Sequence, residues 1–425
     1  MKKLILFLFR VFASGYFYEI GPCVSKQQPS WYRGRHYFPN RKTNNFLSLL
    51  MQQSQSSEQT ILPSVRFQSL DVIRGLIMVF LAAESCRVYT ALAAIVPGGI
   101  DHPVVRHFFH HPWHGLHFWD LVQPAFMTIA GTSLAISWHH KKSQGLVWSE
   151  NLQHVLWRCF KLALLGMGLH CIYAGEMVFE LWNVLTQLSF TTLVAYIIID
   201  KPASWQWTIT IGLLFFSEWL YRNTGIAGFD QPFVSGYNFG NWLDLQLMGK
   251  TNSDGWVTLN ALPTSAHTIW GVIAGQWLMK DQQFAVSIRK LIIAGLLLVL
   301  SGYFLDIWAI SPIIKRICTS SFVLVSGGWV FLLFALFLFV FDCKKYISRP
   351  VLMIALGTNA IFIYLFFETV GVQWLNNTVQ IFANGFSSMI WLTANWAGLL
   401  GAFVTWALEC YLCLWLYRRN VLIKL

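Results

Sequence analysis

Charge is scarce in this chain: Asp, Glu, Lys and Arg together make up 12% of 425 residues, about half the share carried by an ordinary soluble domain. That is too little to cover a water-facing surface, so a soluble globular protein is excluded. Cysteine offers no framework either. The eight cysteines (Cys23, Cys86, Cys159, Cys171, Cys318, Cys343, Cys410 and Cys413) are scattered, which excludes a disulfide scaffold. Cys410 and Cys413 have C-x-x-C spacing but stand inside an apolar run, where they read as small packing residues rather than metal ligands or a redox pair. Gly327-Gly328 lacks the strand and helix context of a phosphate cradle, and no two-half repeat of the transporter kind is visible.

Apolar residues are abundant instead, at 56% of the chain. Runs of about 20 residues, enough to cross a hydrocarbon core about 30 Å thick, recur from Leu76 to Tyr417. Segments near 76–96, 118–138, 158–175, 182–199, 204–221, 257–279, 291–310, 318–341, 351–370 and 390–416 are predicted spans. They give an all-α polytopic transmembrane helix bundle of about ten spans, with about eleven as the alternative. Lys141, Lys142, Lys280, Arg289, Lys290, Lys344, Lys345, Arg349, Arg418 and Arg419 fall on one side of such a bundle, and the positive-inside rule makes that side, with both termini, cytoplasmic. Fewer cations, chiefly Arg106, Arg222, Lys250, Lys315 and Arg316, mark the far side, which also receives the stretch from 97 to 117.

The net charge of +11 does not point to nucleic acid, because the cations sit beside spans rather than in a stripe with stacking aromatics. The lipid bilayer is the expected partner. Trp113, Trp119, Trp205, Trp207 and Trp256 stand near span ends, as in an interfacial belt. Residues 1–63 read as a polar, mobile N-terminal extension ahead of a transmembrane domain over 64–425, with a start at Met51 as an alternative beginning. Met1–Phe9 opens like a signal peptide, but Arg10 cuts its apolar region short.

Ionisable residues inside spans are costly and mark functional candidates. Asp71 and Arg74 lie three apart at the start of the first span, where a capping and anchoring pair is the plainer reading and a role beside an anionic cofactor the sharper one. Glu84 and Arg87, again three apart, read equally as an orienting ion pair or as site residues. The densest feature follows: His102, His107, His110, His111, His114 and His117 fall within sixteen residues. Pro112 interrupts a helix there, no cysteine joins, and Asp101 and Asp120 lie only at the edges, so no metal is expected. An imidazole titrating at about 6.5 suits proton or acyl transfer instead. Asp120, three residues after His117, can cap the second span or accept an imidazole N–H.

Taken in order, S-L-D-x-x-R-G (69–75), H-x-P-W-H-G (110–115), D-L-V-x-P (120–124) and the Gly131 exit resemble the heparan-alpha-glucosaminide N-acetyltransferase family and its bacterial homologues. The likeness continues in D-G-W-V-T-L-N-A-L-P (254–263), G-V-x-A-G (271–275), K-R-x-x-T-S-S-F-V-L (315–324) and G-T-N-A-I-F-I-Y (357–364), with Glu368 four beyond Tyr364. It runs from about 64 to 425 and leaves the first 63 residues outside. The resemblance implies a membrane-embedded acetyltransferase, in the bacterial inner membrane, that takes acetyl from cytoplasmic acetyl-CoA and delivers it to an amino-sugar acceptor on the far side. A homodimer is compatible with it.

The family's active histidine stands three before the motif tryptophan, which places it at His110, as general base or acetyl carrier, with Asp120 as its orienter. Trp113, His114, Glu84, Asn359, Tyr364 and Glu368 become candidates for acceptor binding, and Arg74, Lys141 and Lys142, with Lys161, for the CoA phosphates. The same polar groups read alternatively as interhelical hydrogen bonds or topology signals. Ser85 stands where the lysosomal enzyme has asparagine, and the family's D-P-E-G is here Asn252-Ser253-Asp254-Gly255, so the acceptor is the less determined half. Transfer of another acyl group, or to a hydroxyl, is one alternative. A proton-coupled transporter using Glu84, Arg87 and the histidines is the other.

Overall fold

Every one of the ten apolar segments is occupied by helix in the computed structural model, which describes residues 66–281, 283–347 and 350–423. The N-terminal extension, the Met51 start and Arg349 lie outside the described residues. In chain order the helices are α1 (Gln68–Ser85), α2 (Val88–Ala93), α3 (Val122–Ser143), α4 (Trp148–Ala174), α5 (Val184–Ile197), α6 (Ala203–Asn223) and α7 (Phe239–Met248). They continue with α8 (Ala261–Lys280), α9 (Phe284–Ile307), α10 (Ser320–Phe337), α11 (Val351–Thr358), α12 (Ala360–Phe366), α13 (Asn376–Met389) and α14 (Ala394–Arg418). Wide π-helical turns extend α10 over Leu338–Cys343 and join α12 to α13 over Phe367–Leu375. Extended pairing among the described residues is limited to the isolated bridge His114–Ile314.

Among the described residues four helices are long and apolar enough to cross a membrane: α4, α9, α10 with its extension, and α14. The pair formed by Val351–Thr358 and Ala360–Met389, bent by 80°, makes a fifth if it is one broken span. The protein is therefore a multi-pass helical membrane protein. Its outer helices carry apolar stripes that no protein covers; α9 exposes Ile292, Ile293, Leu296, Leu297, Leu300 and Phe304. The inner helices are more polar because protein, not lipid, surrounds them. α8 is buried from Pro263 to Gly275, and its His267 Nε2 meets Val323 O and Ser326 Oγ on α10, each at 3.1 Å.

The centre of the bundle is the contact of α3 with α8, and glycine sets it. A Cβ built on Gly131 would stand 2.0 Å from the Thr268 carbonyl oxygen, and one on Gly271 would stand 2.0 Å from that of Thr128. The contact is reciprocal: T-I-x-G occurs at 128–131 and again at 268–271, each glycine resting on the other helix's threonine carbonyl. Gly271 faces Thr128 and Gly275 faces Thr132 and Ala135, so the two helices run parallel.

The first predicted span needs correction at both ends. Its helix begins at Gln68 rather than near 76 and breaks at Cys86-Arg87 rather than continuing to 96. The early start follows from a distant cap: Asp342 accepts from Gln68 N at 2.8 Å and Ser69 N at 2.9 Å, satisfying two otherwise orphan amides. At the break Arg87 has φ of 61°, and the expected pairing with Glu84 is replaced by a bond from Trp119 Nε1 to Glu84 Oε1 at 3.1 Å.

Candidate active site

The loop from Phe109 to Phe118 is shaped by its own hydrogen bonds. Asp120 Oδ2 accepts from His117 N at 2.8 Å and from His111 N at 3.3 Å, while His117 Nδ1 lies 3.0 Å from Phe109 O. Gly115 allows the fold-back, with φ of +141° and the His111 ring only 2.5 Å from where a Cβ would stand. The loop is stitched to the α9–α10 connection by Gly115 N donating to Ile313 O at 2.8 Å. Asp120, fully buried in the 3-10 turn Phe118–Leu121 that leads into α3, thus caps that turn and binds the loop at once.

Its other oxygen meets the histidine. His110 Nδ1 lies 2.9 Å from Asp120 Oδ1 and 3.0 Å from Lys315 Nζ, and Lys315 Nζ is 3.5 Å from the same Asp120 oxygen. His110 Nε2 has no protein partner among the described residues, and the ring, 35% exposed, opens onto a cavity of about 290 Å³. Burial, then the ammonium of Lys315, push the His110 imidazole down to about 4, overcoming the upward pull of Asp120. Burial also lowers the Lys315 ammonium, against the opposing effect of Asp120.

The cavity is walled by the C-terminal ends of α1 and α4, the heads of α3 and α5, and the α12 region. Its polar lining includes Glu84, Glu368, Tyr364, Gln187 and Tyr173. Glu368 accepts from Ser85 Oγ at 3.0 Å and Tyr173 OH at 2.8 Å. Near its edge Glu180 holds both His170 and Lys250, the latter at 2.6 Å. A second cavity, of about 280 Å³, lies between the last turns of α3 and the first half of α4 and is lined by Lys141, His154, Arg158 and Lys161. Lys141 Nζ donates there to Asn151 Oδ1 at 2.7 Å. The two cavities stand toward opposite ends of the same helix pair.

Of the residues singled out in the sequence, His110, Asp120, Glu84, Tyr364 and Glu368 come together around the first cavity. Trp113 stands behind its wall, with Nε1 donating to Phe233 O at 2.8 Å and its ring against Gly255. His114 turns outward, 57% exposed, to Asp306 at 2.7 Å. Asn359 is not brought to the cavity: its Nδ2 donates to Val421 O at 2.9 Å and its Oδ1 accepts from Ile423 N at 2.8 Å, pinning the chain after α14. Lys141 lines the second cavity, whereas Lys142 pairs with Asp200 at 2.7 Å, and Arg74 bonds Ser133 Oγ at 2.8 Å and Asp71 at 3.3 Å.

Three site residues were not singled out as such. Lys315 and Trp256 lie within quoted motifs, 315–324 and 254–263, yet read as a topology cation and a belt aromatic. Tyr173 carries no local signal. Among the described residues no group of three or more His, Cys, Asp or Glu is placed to hold a metal ion.

No curated protein matches the chain. Of the sequence likeness noted from 64 to 425, the part over residues 66–313 is matched by a family model, which takes in Glu84, His110, Asp120 and Trp256 and ends just before Lys315. That match covers more than half of the chain, and the protein belongs to the family described as heparan-alpha-glucosaminide N-acetyltransferase, catalytic.

Proposed function

We propose that this protein moves an acetyl group from acetyl-CoA, entering from the cytoplasmic side, to an amino-sugar amine on the opposite side of a bacterial inner membrane. In this reading the bundle has ten spans and both chain ends are cytoplasmic. The observation that carries it is the His110–Asp120 pair: with Nδ1 engaged at 2.9 Å, Nε2 is the ring nitrogen left for chemistry in the cavity. A neutral Nε2 takes a proton from the attacking amine, or attacks the thioester carbonyl itself and carries the acetyl group. Label retained on the protein when acetyl-CoA is supplied without acceptor distinguishes the second route.

The second cavity suits the donor's phosphates. Arg158, Lys161 and Lys141 bring positive charge there, and from Leu134 at its edge to Phe126 at the first cavity is eight residues of α3, a rise of about 12 Å. The pantetheine arm of CoA covers that distance. Arg158→Gln is expected to raise KM for acetyl-CoA about tenfold with kcat little changed, since charge-assisted bonds to phosphate are worth about 1.5–3 kcal/mol. Steady-state kinetics in detergent checks this; an unchanged KM removes the cavity from donor binding.

Glu84 and Glu368 give the first cavity two carboxylates, which suits an acceptor that arrives as an ammonium. Glu368→Gln is expected to raise KM for an amino sugar about tenfold. Equal KM values for wild type and variant would take Glu368 out of acceptor binding. The overall test is purified protein with radiolabelled acetyl-CoA and a panel of amino sugars. Labelled N-acetylated product is expected, and its absence across the panel, with no acetyl-CoA binding in a thermal-shift assay, overturns the proposal.

A further inference from the structure

His110 Nδ1 has two neighbours with opposite demands. Asp120 Oδ1 accepts and Lys315 Nζ donates, at 2.9 and 3.0 Å. A neutral ring with its proton on Nδ1 satisfies Asp120, and Lys315 then directs an N–H to the same carboxylate oxygen, 3.5 Å away. An imidazolium would instead set a second positive charge against the ammonium. Water cannot screen this choice: the Asp120 side chain is fully buried and that of Lys315 is 6% exposed. Trp256 closes the remaining side, its ring 5.5 Å from the ammonium and 5.7 Å from the His110 ring.

We infer that Lys315 is a positioning residue for His110: by pairing with Asp120 it occupies the electrostatic place that a proton on the imidazole would otherwise fill, and so keeps the ring neutral. This rests on the acetyl-transfer proposal for its purpose. In the direct route the acceptor ammonium first gives its extra proton to solvent, and the neutral amine's N–C bond then forms as the thioester C–S bond breaks. The amine proton passes to Nε2 and from Nε2 to the leaving thiolate, so His110 begins and ends neutral and Lys315 keeps its charge throughout. Other charged or titratable groups facing the ring are Arg316 beside Lys315, and Glu84, Glu368 and His170 around the cavity.

The test is an NMR titration of the His110 ring in labelled full-length protein, paired with kcat against pH at saturating acceptor, compared between wild type and variant so that the bound amine's own titration is common to both. In wild type the ring is expected to lose its proton at about 4. In Lys315→Met, Asp120 loses its ammonium partner and the ring loses the second-largest of the effects that hold it down, so it is expected to titrate above the wild-type value, with burial still opposing the proton. A rise of about tenfold in the ring's proton affinity lowers the neutral fraction at about pH 5 about twofold, and the acid limb of kcat moves up with it. Lys315→Arg, which keeps the cation, is expected to restore the low value. Should the methionine variant fail to fold, Lys315→Gln carries the same expectation. A folded Lys315→Met or Lys315→Gln protein whose ring still titrates at about 4 overturns the inference. The ring titration needs no substrate, so a wild type without acetyl transfer would count against the proposed function alone.

Discussion

Replacing His110 with alanine is expected to lower kcat for acetyl transfer by about 10²–10⁴-fold while leaving KM for acetyl-CoA and acceptor within about threefold. The split follows from position. The ring makes one polar attachment to the carboxylate that also organises the loop, and presents its other nitrogen to the cavity. Two backbone amides still hold Asp120 when the ring is gone, so the loop keeps its course and the binding walls stay in place. His114→Ala is the control, because that side chain faces outward to Asp306; its activity should stay within about threefold of wild type. Label transfer by His110→Ala within about tenfold of wild type would remove His110 from the chemistry. A loss in His114→Ala as large as that in His110→Ala would point to loop structure rather than to one imidazole.

The second large effect is on stability. Gly131→Ala and Gly271→Ala are each expected to destabilise the bundle by at least about 2 kcal/mol, because overpacking of a fitted contact costs about 1–3 kcal/mol and here the obstacle is backbone. The added carbon on either helix would stand 2.0 Å from a carbonyl oxygen of the other, and no side-chain rotation relieves that. Either substitution separates α3 from α8, so the double variant should cost less than the sum of the two. The apparent unfolding midpoint in detergent, followed by tryptophan fluorescence with size exclusion as a check on dispersity, measures it. An unchanged midpoint in either alanine variant would mean that the helices do not approach this closely.

The helices were legible because apolar runs of spanning length leave few alternatives, and the loop because six histidines within sixteen residues stand out in an apolar chain. What escaped was decided by partners far along the chain. Lys315 is 205 residues from His110, and next to Arg316 beside a span it reads as a topology signal until the fold buries it against Asp120. Asn359 fails in the reverse sense. A polar residue inside an apolar span looks like a site residue, yet both ends of its amide hold backbone at Val421 and Ile423. The start of α1 was missed for the same reason, since its cap comes from Asp342, 273 and 274 residues away. Trp113, the reference point of its motif, proves to be a wall support: Gly255 leaves room for its ring, and the neighbouring Trp256 faces the cavity.

The double grip of Asp120 on the amides of His111 and His117 also bears on how relatives of this protein can diverge. The segment between those amides is a closed ring whose circumference is fixed by one carboxylate, so an inserted or deleted residue there would swing His110 away from its partner. Between Ile95 and Val104 the chain is partly or fully exposed and tied mainly to its own short turns, so length can change there at least cost to the imidazole. On the proposed function, this would let acceptor preference drift through the outer stretch while the His110 ring stays where it is.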